Sequence, residues 1–305
     1  MIAPNETFAG TWPFTPRFCA AAGFQQHYVD EGEGRPVILL HGQPTWGYLY
    51  RRFIPPLSRT HRVIVPDHMG FGKSETPPER TYTLETHVAN LAALIETLDL
   101  RDITLVMQDW GGPIGIGYAV RHPERINSLV LMNTVCGYGT MGRRDLPNPM
   151  ETPWFRWIRD GLASGRTEAV LSHLGSTILS VMQIVGLERL DHVDPIFIQA
   201  YAAPFPTPES AIGAIAFPLD MALGRMRDFV RAGLLGVPML KTKPAILIEG
   251  MRDRAIPPAL AIADFLGIWP DGPVIPVADA GHYIQEDSPA AALAAIQTFL
   301  ARIAD

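Results

Sequence analysis

The chain has 305 residues, 47% hydrophobic and 18% charged, with a formal net charge of −6. This is a globular composition that excludes a disordered chain and leaves room for one large domain or two ordinary ones. The acidic balance, without a basic patch, argues against a nucleic-acid partner, and no apolar run reaches the ~18–20 residues of a membrane helix.

In chain order, the opening MIAPNETFAG lacks the basic and apolar regions of a signal peptide, so the expected location is cytoplasmic. Cys19 and Cys136 lie far apart and suggest neither a disulfide framework nor a metal site; they are expected to be buried small hydrophobes. The segment GFQQHYVDEG at 23–32 predicts an antiparallel edge hairpin. PVILLHG (36–42) and RVIVPD (62–67) predict buried strands. Helical periodicity runs through 83–100, with Leu84, Val88, Leu91, Leu94, Ile95 and Leu98 on one face. ITLVM (103–107) is a strand, the stretch after Pro113 a helix, and SLVLMN (128–133) a strand. Alternation of this kind predicts a parallel sheet covered on both faces.

From Gly137 to about Pro218 no buried strand pattern is found, and Trp154, Trp157 and Ala-, Ile- and Met-rich stretches predict a helical insertion. The strand pattern returns at PAILIEG (244–250) and GPVIPVADAGH (272–282), and the chain closes on an amphipathic helix begun by Ser288 and Pro289. The expected domains are a core of 1–136 with 219–305, and a cap of 137–218 inserted after the sixth strand.

Reactive groups in such a sheet gather at the carboxyl ends of the strands. His41 to Gln43, Asp67, Asp109, Asn133, Asp253 and His282 all fall there. Asp109, Asp253 and His282 come in the order nucleophile, acid, histidine, which is the order of an α/β-hydrolase. A strand-end aspartate alone is often only a helix cap; it is the joint occurrence that marks a site. Gly111 and Gly112 clear the side chains that would obstruct so tight a turn at Asp109. GFGKS (70–74) resembles the end of a phosphate loop, but Asp67 stands where that motif requires glycine, and the H-E-x-x-H spacing of a zinc site is not found.

An aspartate where hydrolases carry serine changes the chemistry. With an ordinary pKa of about 3.9, it is already an anion at neutral pH and needs no base to attack. Attack on an acyl group would give a reactive anhydride, whereas attack on saturated carbon gives an ordinary ester that histidine-activated water can cleave. The expected substrate therefore has a saturated carbon bearing a leaving group, with alkyl halides and epoxides as the leading candidates. An epoxide demands an acidic donor for the alkoxide, whereas a halide needs only hydrogen-bond donors in a dry pocket. Trp110, next to the nucleophile, supplies an indole N–H that donates and cannot accept.

HGQPTWGYLYR (41–51), PDHMGFGKS (66–74), QDWGG (108–112), YAAPFPTPES (201–210) and DAGHYIQED (279–287) make the chain, over nearly its whole length, similar to haloalkane dehalogenases of the α/β-hydrolase superfamily. That resemblance implies Asp109 as nucleophile, His282 as base and Asp253 as its orienting acid. Asn133 and Thr134 stand where some dehalogenases place a glutamate instead. It further implies an oxyanion hole of the Gln43 and Trp110 backbone N–H groups. Halide binding falls to Trp110, with Gln43 or Trp157 as second donor and Trp154 as the neighbouring alternative; Phe217 and Pro218 would line the pocket. The implied reaction takes a small apolar haloalkane and water to alcohol, halide and proton, with no metal or organic cofactor, in a monomer or weak homo-oligomer. The alternatives are an epoxide hydrolase using Tyr138 or Tyr201 as acid, a luciferase-like monooxygenase, and a receptor without catalysis. Fluoroacetate-type dehalogenation is disfavoured, because that branch resembles D-R at the elbow, and Trp110 cannot hold a substrate carboxylate.

Overall fold

The computed structural model describes residues 2–303, with Pro149 placed by its backbone alone. Eight strands form one sheet: β1 (Arg17–Cys19), β2 (Gln26–Glu31), β3 (Pro36–Leu40), β4 (Arg62–Pro66), β5 (Ile103–Gln108), β6 (Ile126–Met132), β7 (Ala245–Gly250) and β8 (Val274–Val277). Their spatial order is β1-β2-β4-β3-β5-β6-β7-β8. β1 and β2 pair antiparallel, as the edge hairpin predicts, and β2 also pairs antiparallel with β4. From β4 to β8 every pairing is parallel. Both faces are covered, so β3 and β5 carry β-branched and aliphatic side chains that are almost wholly buried.

The chain runs from β3 outward to β4 and then returns to β5 on the other side of β3. That reversal opens a crevice beyond the carboxyl ends of β3 and β5, where an open α/β sheet receives its ligand. The helix Leu84–Thr97 begins on a Thr83 side chain that accepts from the Thr86 N–H, and buries the predicted apolar face. The helix Gly111–Ala119 leaves β5 directly and is buried nearly all round.

Between β6 and β7 the described residues form helices and turns only, as the insertion predicts. The expected cap boundary at Pro218 falls inside a helix, Ile212–Ala222, and further helices continue to Leu240. A proline inside a helix leaves the carbonyl four residues earlier without its donor. Here that carbonyl is Ala214's, and the Gln43 side-chain amide donates to it at 3.2 Å. The core thus supplies the hydrogen bond that the cap helix lacks.

A second tie joins cap and core at Glu286, whose side chain is fully buried. Arg51 grips it with both terminal nitrogens, and the hydroxyl of Tyr201 donates to it at 2.5 Å. Burial pushes this carboxyl up, but the His192 imidazole 3.5 Å away and the Arg51 charge prevail and hold it at about 2. Glu286→Gln keeps the volume but leaves the Arg51 guanidinium buried without its counter-charge. It is expected to lower unfolding free energy by about 3–5 kcal/mol, read from urea denaturation midpoints; a change near zero would show the network to be dispensable.

Candidate active site

Asp109 is the turn residue between β5 and the following helix, with φ of 49° in the left-handed region. The conformation costs a residue bearing a Cβ about 1–2 kcal/mol and is held by hydrogen bonds on both sides. Its N–H donates to the Asn133 carbonyl at 3.3 Å, and its own carbonyl accepts from Gly112 N at 3.0 Å and Thr134 Oγ1 at 2.6 Å. A Cβ at Gly112 would sit 2.0 Å from Thr134 Oγ1, and one at Gly42 would sit 2.1 Å from Asp109 Oδ1. Neither position admits any residue but glycine. The result is a carboxylate thrust into the crevice, in front of a helix N-terminus that favours negative charge.

Its two oxygens have different surroundings. Oδ1 accepts the Gln43 backbone N–H at 2.7 Å. Oδ2 lies 3.3 Å from Nε2 of His282, close enough for charge attraction but not aligned as a hydrogen bond. On its far side His282 places Nδ1 2.8 Å from Asp253 Oδ2. Asp253 is fixed in turn: Oδ2 also accepts Asn133 Nδ2 at 3.0 Å, while Oδ1 accepts the N–H groups of Ala255 and Ile256 at 2.8 and 2.9 Å. Burial alone would lower the pKa of His282, but the carboxylates of Asp253 and Asp109 outweigh it and raise it to about 10. The three residues singled out in the sequence therefore meet in one line, with a charged imidazole between two carboxylates.

The pocket in front of Asp109 is small, about 80 Å³, with Trp110, Trp154, Phe155 and Val185 among its walls. Both tryptophans are nearly buried, and neither indole N–H has a hydrogen-bond partner among the described residues. A chamber of about 660 Å³ adjoins it and shares Pro113, Val135, Met221, Met226 and Leu260 as walls.

Residues 35–181 match the family model described as alpha/beta hydrolase fold. Over 298 residues the chain is 34% identical to cis-3-alkyl-4-alkyloxetan-2-one decarboxylase of Shewanella oneidensis, covering 94% of this chain and 89% of that one. It is 32% identical to haloalkane dehalogenase 2 of Mycobacterium tuberculosis, over 93% of this chain and 94% of the other. The chain belongs to the haloalkane dehalogenase family of the α/β-hydrolase superfamily. The crystal structure of haloalkane dehalogenase DbeA from Bradyrhizobium elkani superposes with a TM-score of 0.80 at 25% identity, over 95% of this chain and 98% of that one.

Several positions that the dehalogenase resemblance implies lie elsewhere in the structure. Trp157 is half-buried and stacked behind Trp154, ring centroids 5.5 Å apart, and Trp154 alone of the two faces the Asp109 pocket. The helix Pro153–Leu162 enters with its first turn toward the nucleophile, so the more N-terminal indole arrives first. Gln43 lines the pocket, but its side-chain amide points to Ala214, bound to the carbonyl freed by Pro218. Phe217 and Pro218 form no part of the pocket wall. Phe217 stands one layer behind, stacked flat on Trp110 at 4.6 Å and on Phe71 at 5.1 Å, and so fixes the plane of the Trp110 indole. In the free site only Gln43 of the two expected backbone donors contacts the Asp109 carboxylate; no hydrogen bond runs to it from the Trp110 amide among the described residues.

The tyrosines that an epoxide hydrolase would need are also elsewhere. Tyr201 is fully buried and committed to Glu286, and Tyr138 lines the outer chamber rather than the Asp109 pocket. Asp67 accepts from Gly47 and Lys73 N–H groups and pairs with His27 at 2.8 Å, which makes it the anchor of its loop.

Three supporting residues, Gln108, Tyr283 and Asp287, are not among the site residues that the sequence singles out. Asn133, which the sequence places at a strand end beside them, steadies Asp253 and also donates to the Gly250 carbonyl. Gln108 donates to the His282 carbonyl at 3.1 Å. Tyr283 packs edge-on against the imidazole, centroids 5.0 Å apart. Asp287 accepts from Gly281 N at 2.8 Å and from the cap amides of Glu188 and Arg189, which pins the histidine loop to the cap. Their proximity to His282 and Asp109 in sequence was visible; that their polar groups turn inward was not.

Proposed function

We propose that the protein hydrolyses a carbon–halogen bond through an ester of Asp109. The observation that carries this reading is a carboxylate at the elbow facing a small pocket lined by Trp110 and Trp154, whose indole N–H groups have no hydrogen-bond partner among the described residues. Oδ1 stays with the Gln43 N–H and Oδ2 attacks the saturated carbon; the carbon–halogen bond breaks as the carbon–oxygen bond forms. The departing halide accepts hydrogen bonds from the two indoles, Trp154 serving where Trp157 does not reach. Water then adds to the ester carbonyl carbon of Asp109 and gives its proton to His282. Negative charge gathers on Oδ1, where the Gln43 N–H, joined by that of Trp110, stabilises it. Collapse releases the alcohol and restores the carboxylate.

The raised pKa of His282 fits this order of events. While Asp109 is an anion, the imidazole is held in its charged form and cannot act as a base. Alkylation removes one of its two anionic neighbours, the pKa falls, and the imidazole becomes a proton acceptor when water must be activated.

A second reading has the 34% identical decarboxylase relative in its favour, together with the apolar chamber beside the pocket. Attack of Asp109 on the ring C–O carbon of an oxetan-2-one would release a carboxylate in place of halide. Loss of carbon dioxide could then expel Asp109 and leave an alkene, with no water consumed. The products separate the two readings. Incubation with bromobutane is expected to give bromide and butanol in equal amounts. Carbon dioxide and alkene from a cis-dialkyl oxetan-2-one, with no bromide from any bromoalkane, would replace the first reading by the second.

A further inference from the structure

The Asp109 pocket, at about 80 Å³, is far below the ~300–1,000 Å³ usual for a ligand site. It has room for the reacting carbon and its leaving group and little more. The rest of any longer substrate must pass between Pro113, Met221, Met226 and Leu260 into the chamber of about 660 Å³. The inner walls of that chamber are apolar, with Ile116, Met150 and Val230 among them, but Arg143, Arg144 and Arg227 also line it. Arg143 is paired with Asp145. The guanidinium groups of Arg144 and Arg227 have neither ion pair nor hydrogen bond among the described residues. The one buried carboxylate on the same wall, Asp264, is already satisfied: Oδ2 accepts from Cys136 N and Gly137 N, Oδ1 from Thr140 N and Oγ1. It forms no ion pair with Arg144 or Arg227.

We propose that the substrate is an amphiphile, reacting at one end at Asp109 and carrying at the other a carboxylate held by Arg144 and Arg227. This deepens the dehalogenation reading and rests on it for the reacting end alone. Guanidinium groups match a carboxylate in two parallel hydrogen bonds, and an apolar passage between two polar ends fixes which end enters. The head group is remote from the nucleophile, so the arrangement differs from one in which an arginine beside the nucleophile grips a haloacid at its reacting end.

The test compares ω-bromoundecanoate with its methyl ester. Wild type is expected to show kcat/KM about tenfold higher for the acid, a value within the range for two exposed ion pairs. In Arg144→Gln/Arg227→Gln that ratio is expected to fall to near one. Equal turnover of acid and ester by wild type, or a ratio unchanged in the double variant, overturns the proposal. Bromobutane serves as a separate arm: if neither it nor the long bromides release bromide, the dehalogenation reading fails by itself. The head-group site is then judged by binding of undecanoate, followed through tryptophan fluorescence. About tenfold weaker binding in the double variant supports it, and absent or unchanged binding overturns it.

Discussion

Asp109→Asn is expected to lower halide release by at least about 10⁴-fold, the scale on which removal of a covalent nucleophile acts, with little loss of stability. Asparagine tolerates the left-handed φ of 49° better than most residues, and its carbonyl oxygen can keep the Gln43 N–H that Oδ1 now accepts. The fold around the elbow is preserved while the nucleophilic anion is gone. Asp109→Ala should be equally inactive but less stable, because it bears the left-handed strain without the hydrogen bond to Gln43. A halide electrode and a thermal melt read the two effects separately. A direct check on the nucleophile is a single turnover in heavy-oxygen water. The first alcohol is expected to carry unlabelled oxygen, drawn from Oδ2, with the label left in the carboxylate. Solvent oxygen in that first alcohol, or an Asp109→Asn variant that retains a tenth of its turnover, would sink the covalent route.

What the sequence disclosed follows from which forces are local. Strands such as Val37–Leu40 and Ile103–Met107 are buried on both faces, so their composition alone announced them. The elbow was legible because a left-handed turn leaves a chain signature, polar residue then glycines, whatever surrounds it. The order Asp109, Asp253, His282 was legible because the sheet topology fixes which strand ends meet. The cap was different. Helical spacing placed Trp154 and Trp157 near each other, but which indole reaches Asp109 depends on how the helix docks, and docking is set by contacts distant in sequence. The cap was bounded at Pro218 by the lack of a strand pattern before it; the structure keeps that proline inside a helix by letting Gln43 bond the Ala214 carbonyl. Gln43 itself was read as a halide donor for want of that partner. Glu286 and Asp287 stand in the sequence only as the end of DAGHYIQED, and the folded chain turns them inward onto Arg51 and the loop of His282.

His282→Gln is expected to accumulate the intermediate rather than simply lose activity. Asp109 needs no base to attack, so one equivalent of halide should still be released in a burst. Without an imidazole to take a proton from water, ester hydrolysis is expected to slow by about 10²–10⁴-fold, the usual contribution of a positioned base. Intact-mass measurement after incubation with bromobutane should then find a mass increase of one butyl group, located on the peptide containing Asp109. Repeated turnover at the wild-type rate would remove His282 from the mechanism. The same substitution has a stability signature whose sign follows from linkage. In the folded chain the imidazole pKa is raised to about 10, above its ordinary value of about 6.5 in an unfolded chain. The unfolded state therefore binds fewer protons between those values, and the stabilisation from the charged imidazole is fully present below the lower value and lost as pH rises through the upper one. Wild type should be more stable than His282→Gln near neutral pH, and the gap between their melting temperatures should close toward pH 10. A gap that instead widens with pH would mean that the resting imidazole is neutral, and that alkylation of Asp109 is not what turns it into a base.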